Sequence, residues 1–212
     1  MTTPAPRDET QVGRSPLYKD DWEYIEKTDL RLFTRADYAK LQAQRVTYNA
    51  ERQAAAALAL LTAGEHEPTF GYQINNYQHC LQSATMLYAD GYDEETVVVG
   101  LLHDIGFLAC PERHGAFAAE LLGGYVTDEN YWMLRHHQAF GTFPPVDDDD
   151  PQRELPWHRW REHPDAAWTH TFVRRYDQNA IDPSYSNRPL EFFEPMVRRI
   201  FSRSPKPLRL DS

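Results

Sequence analysis

The spacing of apolar residues is the feature that most restricts the fold of this chain. Between polar ends, apolar side chains recur at intervals of three and four residues, which places them on one face of an α-helix. No stretch alternates apolar and polar residues convincingly, as a half-buried strand would, and we find no hairpin dipeptide or internal repeat. The sequence therefore predicts an all-α fold.

Start and stop residues divide the helical pattern into segments. Thr34 is a suitable N-cap for a first helix, which passes through Tyr48 and an alanine-rich stretch at 54–64 and stops at Gly64. Asp93 opens a later helix that has acidic residues in its first turn. The helices predicted after the first one span 76–90, 93–104, 113–123, 127–139, 164–180 and 189–202.

Length and chain ends predict the domain organisation. A chain of 212 residues has the size of one domain with extensions. Residues 1–16 and 203–212 lack apolar periodicity, so we expect flexible tails around a single helical domain at 17–202. The chief interruption, at 141–164, contains four consecutive aspartates at 147–150. These lack the ligand spacing and the glycine of a calcium loop, which predicts a solvated surface.

Charge and composition exclude several classes of protein. Asp and Glu number 32 against 22 Lys and Arg, and this acidic balance argues against partners such as nucleic acid or an anionic membrane surface. No apolar run is long enough for a membrane span, and the first residues lack a signal-peptide core. Two cysteines are too few for a disulfide framework and suit a reducing compartment. We therefore expect a cytoplasmic protein; its oligomeric state is left open.

Nine histidines form the most informative group of residues in the composition. His103 and Asp104 follow the apolar run VVVGLL, where an ionised carboxylate is costly unless something compensates its charge. A hydrogen-bonded His–Asp pair is one solution. A metal ion is another, because it accepts both an imidazole nitrogen and a carboxylate oxygen.

Further candidate ligands lie on other predicted helices. His79 precedes the His–Asp pair by 24 residues, His114 opens the next helix, and Asp177 lies near the end of the helix at 164–180. The adjacent residues His136 and His137 lie on the helix at 127–139. Helical bundles build metal sites from inward-facing ligands of this kind, so the set predicts a metal centre inside the bundle.

This order of ligands resembles the HD-domain superfamily, a helical bundle of metal-dependent enzymes. Within it, the chain is most similar to the mixed-valent diiron oxygenases of the organophosphonate-oxidising type, and more distantly to inositol oxygenase. The resemblance covers about 72–180. It is carried by Gln82 three residues after the first histidine, by LLHDIG at 101–106, by HGAFAAELL at 114–122, and by RRYDQNA at 174–180, in which Arg174 precedes Asp177 by three residues.

The resemblance implies a dinuclear centre with six protein ligands. Asp104 would be the catalytic bridging ligand between the two metal ions. One ion would take His79, His103 and Asp177, and the other His114 and His136. We favour His136 because Ala139 follows it by three residues, as in the relatives; His137 would lie behind the ligands, or replace His136 if the helix phase differs.

Two chemistries follow from such a centre. With a Fe(II)/Fe(III) pair, the resemblance implies an oxygenase that oxidises a small hydroxylated or amine-bearing substrate with O₂, breaking a C–H bond and then a C–P or C–C bond. With manganese or zinc, which the ligand types also allow, the alternative is an HD-type phosphohydrolase or phosphodiesterase. A regulatory HD protein without turnover is a third possibility.

The predicted substrate pocket departs from that of the phosphonate-oxidising relatives. Their cationic side chains are replaced here by Phe107 and Phe140, and a glutamate of their lid loop by Tyr72. These changes argue against a small dianionic phosphonate and predict a more apolar pocket. Gln82 and Arg174 complete the predicted substrate-binding residues, Arg174 as a contact for a carboxylate or phosphate unless it pairs with a nearby acid.

Overall fold

The computed structural model describes residues 18–141 and 155–207, without the side chains of residues 47, 50 and 51. Every regular element in these ranges is helical, which confirms the prediction of an all-α fold. Within the same ranges, no helix is both long enough and apolar enough to cross a membrane. The tail predicted at 1–16, the aspartates at 147–150 and residues 208–212 lie outside the described residues.

The chain divides into two compact units, one ending at Asn49 and the other beginning at Ala50. In the first, a short 3₁₀ helix at Leu30–Leu32 precedes helix α1 (Arg35–Thr62), whose later part belongs to the second unit. Thr34 caps α1: the Asp37 amide donates to its hydroxyl, and its own amide donates to the Asp37 carboxylate. The single-domain boundaries inferred from the sequence stay a prediction.

The second unit contains the helices predicted after the first one, within a few residues of their expected bounds except for the helix expected at 164–180. Asp93 caps the helix that follows it, as predicted. Gly91, just beyond the end of the preceding helix, has a φ of 82°. In chain order the helices are α2 (Asn76–Ala89), α3 (Glu94–Leu102), α4 (His114–Leu122), α5 (Asp128–Phe140), α6 (Ala166–Phe172) and α7 (Leu190–Phe201).

Apolar faces of these helices share one core. α2 packs on α3, α5 packs on both α4 and α6, and α7 covers α3. α3 is buried along almost its whole length, which explains why VVVGLL is apolar on all sides rather than on one stripe. Fully buried residues at the centre include Leu87, Leu101, Leu122, Met133, Phe172 and Phe193.

The helix expected at 164–180 is interrupted. α6 ends at Phe172 and continues as a π-helical turn, Val173–Asp177, in which the Gln178 amide donates to the Val173 carbonyl at 2.8 Å. A π-turn contains more residues per turn than an α-helix and therefore changes the direction in which later side chains point. Asp177 is the last residue of this turn.

A buried glutamate ties three parts of the second unit together. The Glu95 carboxylate, on α3, accepts hydrogen bonds from the Thr127 amide at 2.6 Å and from Asn130 Nδ2 at 3.0 Å, both at the start of α5. It also pairs with Arg203, beyond α7, which in turn donates to the Tyr125 carbonyl at 2.8 Å. Its charge is thus satisfied inside the fold, as buried carboxylates require.

Candidate metal centre

Four histidine rings and two carboxylates converge where the helices of the second unit meet. His79 lies in the second turn of α2, and the His103–Asp104 pair ends α3. The other three residues are His114, the first residue of α4; His137, in the last turn of α5; and Asp177, at the end of the π-turn. His103 is fully buried, and the other five are buried or half-buried.

All four imidazoles are oriented by the backbone. Each Nδ1 atom lies 2.8–3.0 Å from a carbonyl oxygen, of Ala180 for His79 and of Gly100 for His103. The partner is Pro111 for His114 and Leu134 for His137. Because a carbonyl oxygen only accepts, Nδ1 carries a proton in every ring, and Nε2 is the atom left to bind a metal ion or a second proton.

The first group of ligand atoms surrounds His79 and His103. Their Nε2 atoms are 3.1 Å apart. The Asp177 Oδ1 atom lies 3.5 Å from the first and 3.8 Å from the second. Asp104 Oδ2 completes the group at 3.7 Å from His79 Nε2.

The second group surrounds the other oxygen of Asp104. Asp104 Oδ1 lies 3.0 Å from His114 Nε2 and 3.2 Å from His137 Nε2, and these two nitrogens are 3.1 Å apart. Asp104 Oδ1 is also 3.6 Å from His103 Nε2, so Asp104 lies between the two groups, with Oδ2 nearest to His79.

Charges in the centre shift the pKa values of its members. Burial alone would lower the pKa of His79, but Asp177 and Asp104 outweigh it and raise that pKa to about 9. For Asp104, burial would raise the pKa, but the neighbouring histidines hold it well below its usual range; the same opposition lowers the pKa of Asp177. Both carboxylates therefore favour the ionised form and attract positive charge.

The donor set fits a metal ion. Ligands about 2.1 Å from a metal are separated from one another by about 3.0 Å in octahedral and about 3.4 Å in tetrahedral arrangements, close to the separations found here. Two Nε2 lone pairs directed at each other repel unless a cation or a proton lies between them. These buried His and Asp groups can hold a metal ion, and the backbone carbonyls on Nδ1 are the supporting contacts that metal-binding histidines normally have.

Two glycines allow the ligand-bearing segments to approach one another. A Cβ on Gly115 would lie 2.6 Å from the Leu134 carbonyl oxygen and 2.9 Å from the ring of His137. A Cβ on Gly106 would lie 2.9 Å from backbone atoms of His114. No side chain fits at those distances, so both glycines are required by the packing of α4 around the site.

The preference for His136 over His137 has to be corrected. The His136 ring stacks on Trp132, 4.2 Å between ring centres, and its Nδ1 atom bonds the Trp132 carbonyl. Neighbouring residues of a helix point about 100° apart, so only one of the two histidines can face the site, and the phase of α5 selects His137. The spacing to Ala139 did not reveal this phase.

A cavity of about 460 Å³ opens beside the candidate ligands. Tyr72 and Phe107 line it, as predicted for substrate-binding residues. Gln82, Phe140 and Arg174 are not among the described residues that form its wall, so this part of the prediction is corrected.

Each of the three misplaced residues has another environment. Gln82 is buried on α2, where its Oε1 atom accepts from the Asp182 amide at 3.1 Å. Phe140 is buried against the aromatic rings of Trp132, Trp157 and Trp160. Arg174 is exposed on the π-turn.

Several wall residues were missed by the sequence reading. Phe70, Ile74 and Ile181 provide apolar surface, while Asn76 and Gln138 provide polar atoms. A signal existed for Phe70, which lies two residues before Tyr72 in the same turn-rich loop. No sequence pattern indicated Ile181 as a wall residue, because only the π-turn brings the segment after Asp177 to the cavity.

Comparison with family models and with curated proteins identifies no relative. No family model matches the chain, and no curated protein is significantly similar to it. The resemblance to the HD-domain superfamily therefore stays a prediction based on the sequence motifs.

Proposed function

We propose that this protein is a metal-dependent oxygenase with a two-metal centre of the HD type. One observation carries the proposal: four histidines held by backbone carbonyls direct their Nε2 atoms at two ionised carboxylates, in two adjoining groups. Without a metal ion these close contacts require extra protons on Nε2, which bound metal ions would replace.

The residues have distinct parts in this proposal. Asp104 would be shared by the two metal ions, since it lies between the two groups. Asn76 would keep Asp104 in place, because its Nδ2 atom donates to the Asp104 backbone carbonyl at 3.2 Å. His79, His103 and Asp177 would hold one ion, and His114 with His137 the other. When bound, an iron pair would supply Lewis acidity and electrons for the reduction of O₂.

The cavity favours an oxygenase over a phosphohydrolase. Phosphate recognition requires cationic or donor groups beyond the metals, typically arginine or lysine. The wall residues that the structure describes include neither. They present phenyl, phenol and aliphatic groups, which suit a substrate whose C–H bond is to be oxidised.

The proposed reaction is O₂-dependent oxidation at a carbon that bears a hydroxyl or amine. A hydroxylated substrate would place its oxygen toward the His and Asp groups and its C–H bond against the apolar wall. For a vicinal diol the balance is complete without another reductant: one diol and one O₂ give one aldehyde, one carboxylic acid and one water. Because the wall offers no site for a phosphonate, C–C cleavage is the favoured outcome.

Metal analysis under anaerobic conditions tests the proposal. We expect close to two irons per chain, and a mixed-valent Fe(II)/Fe(III) signal by electron paramagnetic resonance after partial oxidation. Consumption of O₂ should depend on an added hydroxylated substrate. Two zinc or manganese ions, no uptake of O₂ with iron-loaded protein, and turnover of phosphate esters would replace the oxygenase by a phosphohydrolase.

A further inference from the structure

A turn at the mouth of the cavity displays two aromatic rings. The Tyr72 amide donates to the Thr69 carbonyl at 3.0 Å, and the two residues between them, Phe70 and Gly71, have φ values of 51° and 101°. Glycine adopts such a φ without penalty, whereas a phenylalanine there is strained. Phe70 is the one non-glycine residue with positive φ in the part of the chain that the structure describes.

The turn leaves these rings largely in solvent. The exposed fraction is 68% for Phe70 and 54% for Tyr72, although both line the cavity. Strained backbone and exposed apolar side chains are both unfavourable in the free protein. Their combination at a cavity mouth is typical of a ligand clamp, where a bound molecule covers the rings.

Aromatic rings continue from the mouth to the candidate ligands. The Phe70 ring centre lies 6.4 Å from that of Phe107, and Phe107 lies 5.6 Å from the ring of His114. Ile74 and Ile181 provide aliphatic surface in the same cavity. A molecule that reaches the His and Asp groups therefore passes along an apolar wall.

The cavity offers no arginine or lysine side chain along the part of its wall that the structure describes. Asn76 and Gln138 are neutral, and Gln138 already accepts the Gly115 amide at 3.2 Å. The wall beyond the candidate ligands therefore favours an uncharged, apolar part of a ligand.

We infer that the ligand of this site is a small hydroxylated molecule with an aryl or alkyl body. Its polar end lies at the His and Asp groups, and its apolar body lies between Phe107 and the Thr69–Tyr72 turn. The inference rests on the proposed function for the role of the polar end. The apolar body is assigned from the cavity wall alone.

Binding to zinc-loaded protein tests the inference without turnover. Isothermal titration would compare 1-phenylethane-1,2-diol with ethane-1,2-diol, which lacks the apolar body. We expect the aryl diol to bind at least about tenfold more tightly, because only its phenyl group can cover the apolar wall. No gain in affinity from the phenyl group would overturn the inference.

Substitutions at the exposed turn sharpen the test, because they leave the core intact. Phe70→Ser should weaken the aryl diol about fivefold to tenfold and leave ethane-1,2-diol unchanged. The matched control Tyr88→Ser, at an exposed ring outside the cavity wall, should leave the affinity for both diols unchanged. Identical affinities in Phe70→Ser and Tyr88→Ser would contradict the clamp.

The two proposals fail in different ways. Zinc content is measured before each titration, so loss of the metal centre appears as protein without bound zinc. A protein that binds two zinc ions but does not prefer the aryl diol contradicts the ligand class alone. A protein that prefers the aryl diol but consumes no O₂ with iron contradicts the oxygenase and leaves the ligand class standing.

Discussion

The Nε2 atoms of His79 and His103 lie 3.1 Å apart, although each ring already donates its Nδ1 proton to a backbone carbonyl. Two lone pairs at this distance repel, so the fold holds the rings in a conformation that a cation stabilises. The same relationship recurs between His114 and His137, also at 3.1 Å. The repetition predicts measurable coupling between metal binding and stability.

Metal removal should lower the thermal stability of the protein. At a free metal concentration of about 100 times the dissociation constant, each ion adds about 2.7 kcal/mol to the free energy of unfolding, or about 5–10 °C in melting temperature for a chain of this size. Calorimetry with and without chelator measures the difference. Calcium, which prefers oxygen ligands, serves as the control and should give no shift. Equal melting temperatures with iron, zinc and chelator would contradict a buried metal centre.

Asp104 and Asp177 should differ in their effect on metal content. Asp104 faces both ligand groups, whereas Asp177 lies near His79 and His103. Asp104→Ala should therefore lose both metal ions, and Asp177→Ala should retain close to one. Inductively coupled plasma mass spectrometry counts the ions, with Asp165→Ala as a carboxylate control on α6. Two ions per chain in Asp104→Ala would show that it does not bridge.

The adjacent residues His136 and His137 provide a matched pair. His137→Ala removes a ligand nitrogen and should reduce bound metal by about one ion per chain. His136→Ala removes a ring stacked on Trp132 and should leave the metal content unchanged, with some loss of stability. The opposite result would restore the residue favoured from the sequence.

Gly115→Ala should disturb the candidate metal centre, because it adds a methyl group where α4 packs on α5. The new methyl group would lie 2.6 Å from the Leu134 carbonyl and 2.9 Å from the His137 ring, so α4 and α5 must separate. We expect a loss of about 2 kcal/mol in the free energy of unfolding and weaker binding at the His114–His137 group. Gly124→Ala, whose nearest atom is a Pro205 side-chain carbon at 3.3 Å, is the control. A Gly115→Ala variant with unchanged stability and metal affinity would argue against this close packing.

Glu95 should make the stability of the second unit depend on pH. Burial would raise its pKa, but hydrogen bonds from Thr127, Asn130 and Arg203 outweigh it and lower the pKa below the ordinary 4.5. Folding therefore favours the ionised form, so the stabilisation is complete above pH 4.5 and is lost as the pH falls through the lower folded-state value. Glu95→Gln should cost about 2 kcal/mol at pH 7, and the cost should shrink below pH 4.5.

Denaturant unfolding of the unmodified protein and of Glu95→Gln, from pH 3 to 7, measures how the free energy of unfolding depends on pH. Glu120→Gln provides the matched control, because Glu120 pairs with Arg135 at an exposed position, where ion pairs contribute about 0–1 kcal/mol. A Glu95→Gln cost that stays constant with pH would assign the loss to packing rather than to charge.

Helical periodicity and cap residues predicted the all-α fold and most helix positions. They succeed because apolar spacing and the hydrogen bonds of residues such as Asp93 and Thr34 are local properties of the chain. The candidate ligands were also recognisable, since an ionisable pair such as His103–Asp104 after a buried helix demands compensation wherever the helix lies.

Other features depended on how the helices pack. The phase of α5 decides between His136 and His137, and it is set by burial of the whole α5 face rather than by neighbouring residues in sequence. The π-turn that ends at Asp177 and the positive φ of Phe70 leave no periodic pattern in the sequence. Each is a local departure from regular backbone geometry that tertiary contacts stabilise. The sequence by itself thus determined which residues can carry the chemistry. The tertiary structure decided which of them meet, because the direction in which a side chain points in a packed bundle is set by the neighbouring helices.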